Sequence, residues 1–238
     1  MQIKIPYTPR KHQAFLHREI SRFRWNVLVC HRRFGKTVCM INHLIRSALL
    51  SKHKNPRFAY IAPTFKQAKS IAWDYMKQFT AKIPHTKFNE TELRVDLPNG
   101  SRITLLGSEN SDGLRGIYLD GCVIDEYANV NERLFPEIIR PALSDRKGYC
   151  VFIGTPQGMN NNFYELYQHA QGAEDWFNYK AKASETKIVD EEELTKAKEV
   201  MGDKKYMQEF ECDWIANIEG SVYSDVLAKM EDQKQLTR

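Results

Sequence analysis

No apolar run in the sequence approaches the ~18 residues that cross a bilayer; its longest, such as residues 25–30 and 149–154, have the length of a strand. The amino-terminal stretch MQIKIPYTPRKH has no apolar segment after its first basic residue and does not read as a secretory leader. CxxC pairs are absent too. The five cysteines (Cys30, Cys39, Cys122, Cys150 and Cys212) therefore argue against a zinc ribbon or a disulfide framework, and predict reduced, buried thiols of a cytosolic protein. Acids are nearly missing from the first 70 residues, where Glu19 alone stands against fifteen Lys/Arg, a net of +14. The remaining 168 residues carry a net of −9, so the overall +5 hides a basic first third. Such one-sided charge fits a polyanion partner, nucleotide or nucleic acid, and equally a solvated basic face. Repeats and low-complexity segments are lacking. With 42% apolar and 27% charged residues over 238 positions, disorder and coiled coil are disfavoured, and one large domain with a short appendage fits.

What is present alternates short apolar runs with longer periodic stretches, as βαβ units do. Strands are predicted at 26–30, 58–62, 122–125 and 150–154, each nearly continuous in apolar residues, as expected of a parallel sheet covered on both faces. Helices are predicted at 9–23, 36–51, 65–82 and 134–143. Segments 93–97 and 102–106 alternate around Pro98-Asn99-Gly100, a hairpin signal that would extend the sheet antiparallel at one side. A further strand is expected at 176–182. A helix at 190–200 opens with acids and stops at Gly202, with a second short helix at 204–210.

The segment from Val27 to Thr37 runs from an apolar strand through His31-Arg32-Arg33-Phe34-Gly35 into an apolar-periodic helix, the context a phosphate-binding loop requires. Backbone N–H groups of that turn would cradle phosphates, Gly35 would permit close approach, and Lys36 would bridge β- and γ-phosphates. The Thr37 hydroxyl would ligate Mg²⁺. Cys30 stands where such loops usually carry their first glycine. Downstream, an apolar strand ends in Asp125-Glu126, placing one carboxylate to hold Mg²⁺ and the next to polarise an attacking water. A third apolar strand ends in Gly154-Thr155-Pro156, and Thr155 is a candidate γ-phosphate sensor. Ligands of open parallel sheets sit outside the carboxyl ends of the strands, so these three ends are expected to converge on one crevice.

Together with Pro6-Tyr7-Thr8-Pro9-Arg10-Lys11-His12-Gln13, Ala62-Pro63-Thr64 with Gln67-Ala68, Gly113-Leu114-Arg115-Gly116 and the closing Gln208-Glu209-Phe210-Glu211-Cys212-Asp213-Trp214, these motifs resemble the N-terminal ATPase domain of tailed-bacteriophage terminase large subunits over residues 5–215. The resemblance implies an α/β P-loop NTPase fold (ASCE/RecA-like) with a mostly parallel sheet flanked by helices, an added hairpin and a small C-terminal lid. It implies ATP and Mg²⁺ as cofactors, a role in driving double-stranded DNA into a procapsid, and location in the host cytoplasm. Its implied partners are DNA, further copies in a ring, a portal protein and a small terminase subunit. Gln13, with Tyr7 and Arg10, matches the adenine-recognising element. Arg32 matches an arginine acting in cis on the γ-phosphate and Arg115 one reaching a neighbour's ATP. Thr155 matches the motif coupling hydrolysis to movement.

The expected organisation is an ATPase core at 1–170, a lid or linker at 171–215 that shifts with nucleotide state, and a tail at 216–238 leading toward a nuclease domain not contained in the sequence. Gly220-Ser221-Val222-Tyr223 resembles the start of that domain, and Asp225, Glu231 and Asp232 read as tail residues rather than a metal site. Candidate DNA contacts are Lys66, Lys69 and Arg102. Two other classes remain open at this level: a superfamily 2 helicase fragment, and a nucleotide-regulated DNA-binding or assembly module with little turnover.

Overall fold

The computed structural model describes residues 5–215; the 216–238 tail, with Asp225, Glu231 and Asp232, lies outside the described residues. Eight strands form one sheet: β1 (Trp25–Cys30), β2 (Arg57–Ala62), β3 (Lys87–Asn89), β4 (Arg94–Asp96), β5 (Arg102–Gly107), β6 (Gly121–Ile124), β7 (Tyr149–Gly154) and β8 (Trp176–Ala181), in the order β3-β4-β5-β2-β6-β7-β1-β8. All neighbours are parallel except the β3–β4 and β4–β5 pairs. The central strands are buried on both faces, β1, β6 and β7 almost throughout, which is why they read as unbroken apolar runs.

The hairpin divides its loyalties. β5 pairs in parallel with β2 along six residues, so the second arm belongs to the parallel body, and only β4 and the short β3 run antiparallel. Three-residue β3 carries too little pattern to be read from sequence.

Helices pack on both faces. On one lie α1 (Lys11–Ile20), α2 (Lys36–Leu50), and α3 (Phe65–Ala68), which runs through a π-helical turn at Lys69–Trp73 into α4 (Asp74–Thr80). Thr64 caps α3 by accepting the Gln67 amide at 3.1 Å, a structural reason for the Thr-x-x-Gln pattern. On the other face lie a π-helical segment, Leu134–Ile139, continuing into α5 (Arg140–Ala142), and α6 (Asn162–Gly172), which sequence reasoning missed. Asn161 caps α6 through the Phe163 and Tyr164 amides, and Phe163, Tyr167 and Ala170 form its buried stripe.

β8 falls inside the expected 171–215 lid yet pairs with β1 along six residues. Outside the sheet there remain α7 (Ala183–Thr186), α8 (Glu191–Glu209) and the segment after it. α8 is two helical halves meeting at Gly202 (φ 76°, ψ 162°), a conformation that favours glycine and marks the stop read from sequence. Asp190 accepts the Glu193 amide at 2.8 Å, capping an acidic first turn. All five cysteines are free and buried. Among the described residues no helix is long and apolar enough to cross a membrane.

Candidate nucleotide-binding site

β7 lies between β1 and β6, and because all three are parallel their carboxyl ends open on one rim. After Cys30 the chain turns sharply, with Arg33 (φ 69°) and Gly35 (φ 87°) both left-handed. Gly35 is needed here for two reasons: that φ, and a Cβ that would stand 3.0 Å from Gln13 Nε2. α2 begins at Lys36, so its unpaired first N–H groups and the positive end of its dipole face the rim.

The Lys36 ammonium folds back over the loop, donating to the Cys30 carbonyl at 3.3 Å and to Thr155 Oγ1 at 3.1 Å. This links the end of β1 to the end of β7. Arg32, Arg33, Lys36, Glu126, Thr155, Pro156, Gln157 and Glu209 line a cavity of about 330 Å³. A larger apolar cavity of about 730 Å³, bounded by Tyr7, His17 and Arg46, touches none of the loop residues from His31 to Thr37.

Asp125 is buried at the end of β6, where its amide continues the sheet by donating to the Ile61 carbonyl at 2.7 Å. One carboxylate oxygen accepts the Tyr60 hydroxyl and the other accepts the Glu126 amide at 2.9 Å. Thr37 is near enough to the Tyr60 hydroxyl to act against its raised pKa, so Tyr60 neighbours both residues expected at the metal. Burial pushes the Asp125 carboxyl above the usual carboxylate range, opposed by the Tyr60 hydrogen bond and the Lys36 charge. Glu126 has left-handed backbone (φ 48°, ψ 49°), and burial also raises its carboxyl, against the charge of Lys36. Tyr60 carries no motif, and Glu209 belongs to the closing 208–214 stretch without a role at the site read from it; each reaches the site from a distant element. These oxygen donors suit Mg²⁺, which takes one or two protein ligands and fills its shell from phosphate and water.

Other expected residues lie nearby in different capacities. Gln13 spends its amide on the loop, donating to the Gly35 carbonyl at 3.2 Å and accepting the Arg10 amide at 2.9 Å. The Arg10 side chain reaches the Phe34 carbonyl at 3.4 Å, and Tyr7 lies 3.5 Å from the Gln13 Oε1. His31 and Phe34 are buried away from the cavity lining, edge to face with each other; His31 reaches Thr186 Oγ1 at 2.8 Å, and burial lowers its pKa. Arg115 is not among the cavity-lining residues and pairs with Glu137 at 3.6 Å. Lys66 and Lys69 are exposed just past the carboxyl end of β2, whereas Arg102 opens β5 at the opposite edge and pairs with Asp96 at 2.6 Å. Lys66 and Lys69 thus follow the far end of the β2–β5 pair from the end where Arg102 stands.

An open parallel sheet whose phosphate-loop strand is separated by one strand from an Asp-Glu-tipped strand is that of a P-loop NTPase of the ASCE class. Within that class, the profile of the terminase large subunit, T4likevirus-type, N-terminal region matches residues 29–227. The chain belongs to this family. The terminase large subunits of Thermus phage G20c and Thermus virus P23-45 are each 27% identical to it over 180 residues, covering 68% of this chain and 36% of theirs. The chain thus spans about a third of the length of these curated relatives. Its fold is similar to that of the Thermus phage P74-26 large terminase ATPase domain (TM-score 0.75, 22% identity, 89% of this chain and 96% of that one). It is also similar to the large terminase of a thermophilic bacteriophage in complex with ADP (TM-score 0.75, 16% identity, 86% and 53%).

Proposed function

We propose that this chain binds ATP with Mg²⁺ at the rim formed by β1, β6 and β7 and hydrolyses it as the motor portion of a phage DNA-packaging terminase. What carries this reading is the meeting of Lys36, Thr155, Glu126 and Arg32 around one cavity at the positive end of α2. It is supported by membership of the terminase family and by relatives solved with ADP and ATP-γ-S.

In this reading the loop amides and Lys36 hold the β- and γ-phosphates. Thr37 and Asp125 would hold Mg²⁺, which neutralises charge on the phosphate oxygens. Glu126, its proton affinity raised by burial, orients and deprotonates the attacking water. Thr155 sits where loss of the terminal phosphate would free Lys36, linking chemistry to β7. Gln13, Arg10 and Tyr7 brace the loop from behind and border the adenine end.

In the same proposal double-stranded DNA is the moved substrate, further copies in a ring, the portal and the small subunit are partners, and the host cytoplasm is the place of action, a reading that family membership supports. A division into a core and a lid belongs to the same proposal, with β8 counted in the core because it pairs with β1. Binding of ATPγS by calorimetry tests the site directly. Lys36→Ala should weaken it by at least roughly tenfold, the scale of one charge-assisted phosphate contact of ~1.5–3 kcal/mol. Equal affinity in wild type and variant would remove the site assignment.

A further inference from the structure

Besides Glu126, a second carboxylate lines the cavity. Glu209, at the carboxyl end of α8, places Oε2 3.7 Å from Arg32 Nη1 and Oε1 3.3 Å from Lys205 Nζ, and its backbone carbonyl accepts the Arg32 amide at 2.8 Å. The preceding residue, buried Gln208, donates to the Pro156 carbonyl at 2.6 Å, one residue past Thr155. One turn of α8 is therefore fastened both to the phosphate loop and to the end of β7. Arg32 is 62% exposed on its side chain while Glu209 is 16% exposed, so the arginine is the partner with room to move.

The Arg32 guanidinium cannot serve Glu209 and a terminal phosphate equally. An ion pair this long, with Arg32 this exposed, is weak. Bidentate phosphate recognition is the stronger interaction. A γ-phosphate in the cavity would therefore win the arginine and leave Glu209 facing phosphate oxygens with Lys205 beside it. We propose that Glu209 is a positioning residue for Arg32 that couples the terminal phosphate to the seating of α8, because a triphosphate takes the guanidinium from it and a diphosphate does not. It holds the guanidinium at the cavity wall, yields it to the terminal phosphate, and passes the change to α8. Gly202, already at φ 76°, gives the carboxyl half of α8 a point about which to reseat. This rests on the cavity being a triphosphate site.

Calorimetry with ATPγS and with ADP, both with Mg²⁺, on wild type, Glu209→Gln, Arg32→Ala and the double variant tests the assignment. Glu209→Gln should tighten ATPγS about three- to fivefold, matching the strength of the released ion pair, and change ADP by less than about twofold. On the Arg32→Ala background the selective gain should vanish. Glu209→Asp, which keeps the charge but withdraws it from Arg32, should move ATPγS in the same direction and covers the case where Glu209→Gln folds poorly. Hydrogen exchange over residues 203–212 should respond to ATPγS and not to ADP. Equal shifts for both nucleotides, a gain that survives loss of Arg32, or no shift at all would overturn the role of Glu209 while leaving the nucleotide site standing. Failure of the wild type to bind either nucleotide would instead bring down the site itself, and this inference with it.

Discussion

Asp125 accepts one hydrogen bond on each carboxylate oxygen, from Tyr60 and from the Glu126 amide, in a position with almost no contact with water. Burial favours its protonated form and the Tyr60 hydroxyl opposes that. Tyr60→Phe removes the opposing bond, so Asp125 should take up its proton at higher pH than in the wild type. Mg²⁺-dependent ATPγS binding, measured against pH, should then lose its acid limb at higher pH; superimposable profiles would show that Tyr60 is only packing. Lys36, Thr37, Asp125, Glu126 and Thr155 were legible in the sequence because each stands at a fixed offset from an apolar strand. Tyr60 was not, and Glu209 showed only as part of the closing 208–214 stretch, with no role at the site. A tyrosine inside a buried strand reads as core, and an acid near a helix end reads as surface, until the fold brings them to the rim.

Between α1 and α2 two histidines stack, His17 and His43, with ring centroids 5.4 Å apart. Burial first, and the nearby Arg46 charge after it, lower His17 to about 4; burial, then His17 and Arg46, lower His43 to about 3. In the unfolded chain both would titrate near 6.5. The unfolded state therefore binds more protons across this window, and stability intact above pH 6.5 is lost as pH falls toward 4. The slope is up to ~1.4 kcal/mol per pH unit for each histidine. Urea midpoints at pH 7, 5.5 and 4.5 should decline in that order, and less steeply in His43→Gln; identical declines would place the acid sensitivity elsewhere. The long elements were legible because they carry period or continuity: the central strands, α2, and the Gly202 break in α8. β3 is too short to show a pattern, and α6 was passed over although Asn161 and the Phe163, Tyr167, Ala170 spacing marked it. The parallel pairing of β5 with β2 is a long-range choice that the Asn-Gly turn does not encode.

Across the whole molecule, the sheet order places one arginine in the cavity wall and the other in a different layer. Arg32 lines the site, while Arg115 pairs with Glu137 from the segment that covers the opposite face from α2. In dilute protein Arg32→Ala should therefore lower ATP hydrolysis by roughly 10³-fold or more, as loss of such arginines does elsewhere, and Arg115→Ala should leave it within about twofold. The reverse pattern, with specific activity climbing as wild-type protein is concentrated, would give the charge-neutralising role to a neighbouring copy. The convergence of the three strand ends was legible from topology alone, since parallel strands must open on one edge. The separation of Lys66 and Lys69 from Arg102 was not, because it depends on which edge each strand enters.

Single-turnover hydrolysis of ATP by wild type and Glu126→Gln, with Mg²⁺ and with nucleotide binding measured on the same samples, bears most directly on the site as a whole. Glu126→Gln should bind ATPγS as the wild type does and hydrolyse ATP about 10²–10⁴-fold more slowly, the range for removal of a general base. Hydrolysis at the wild-type rate by a variant that still binds the nucleotide would contradict it.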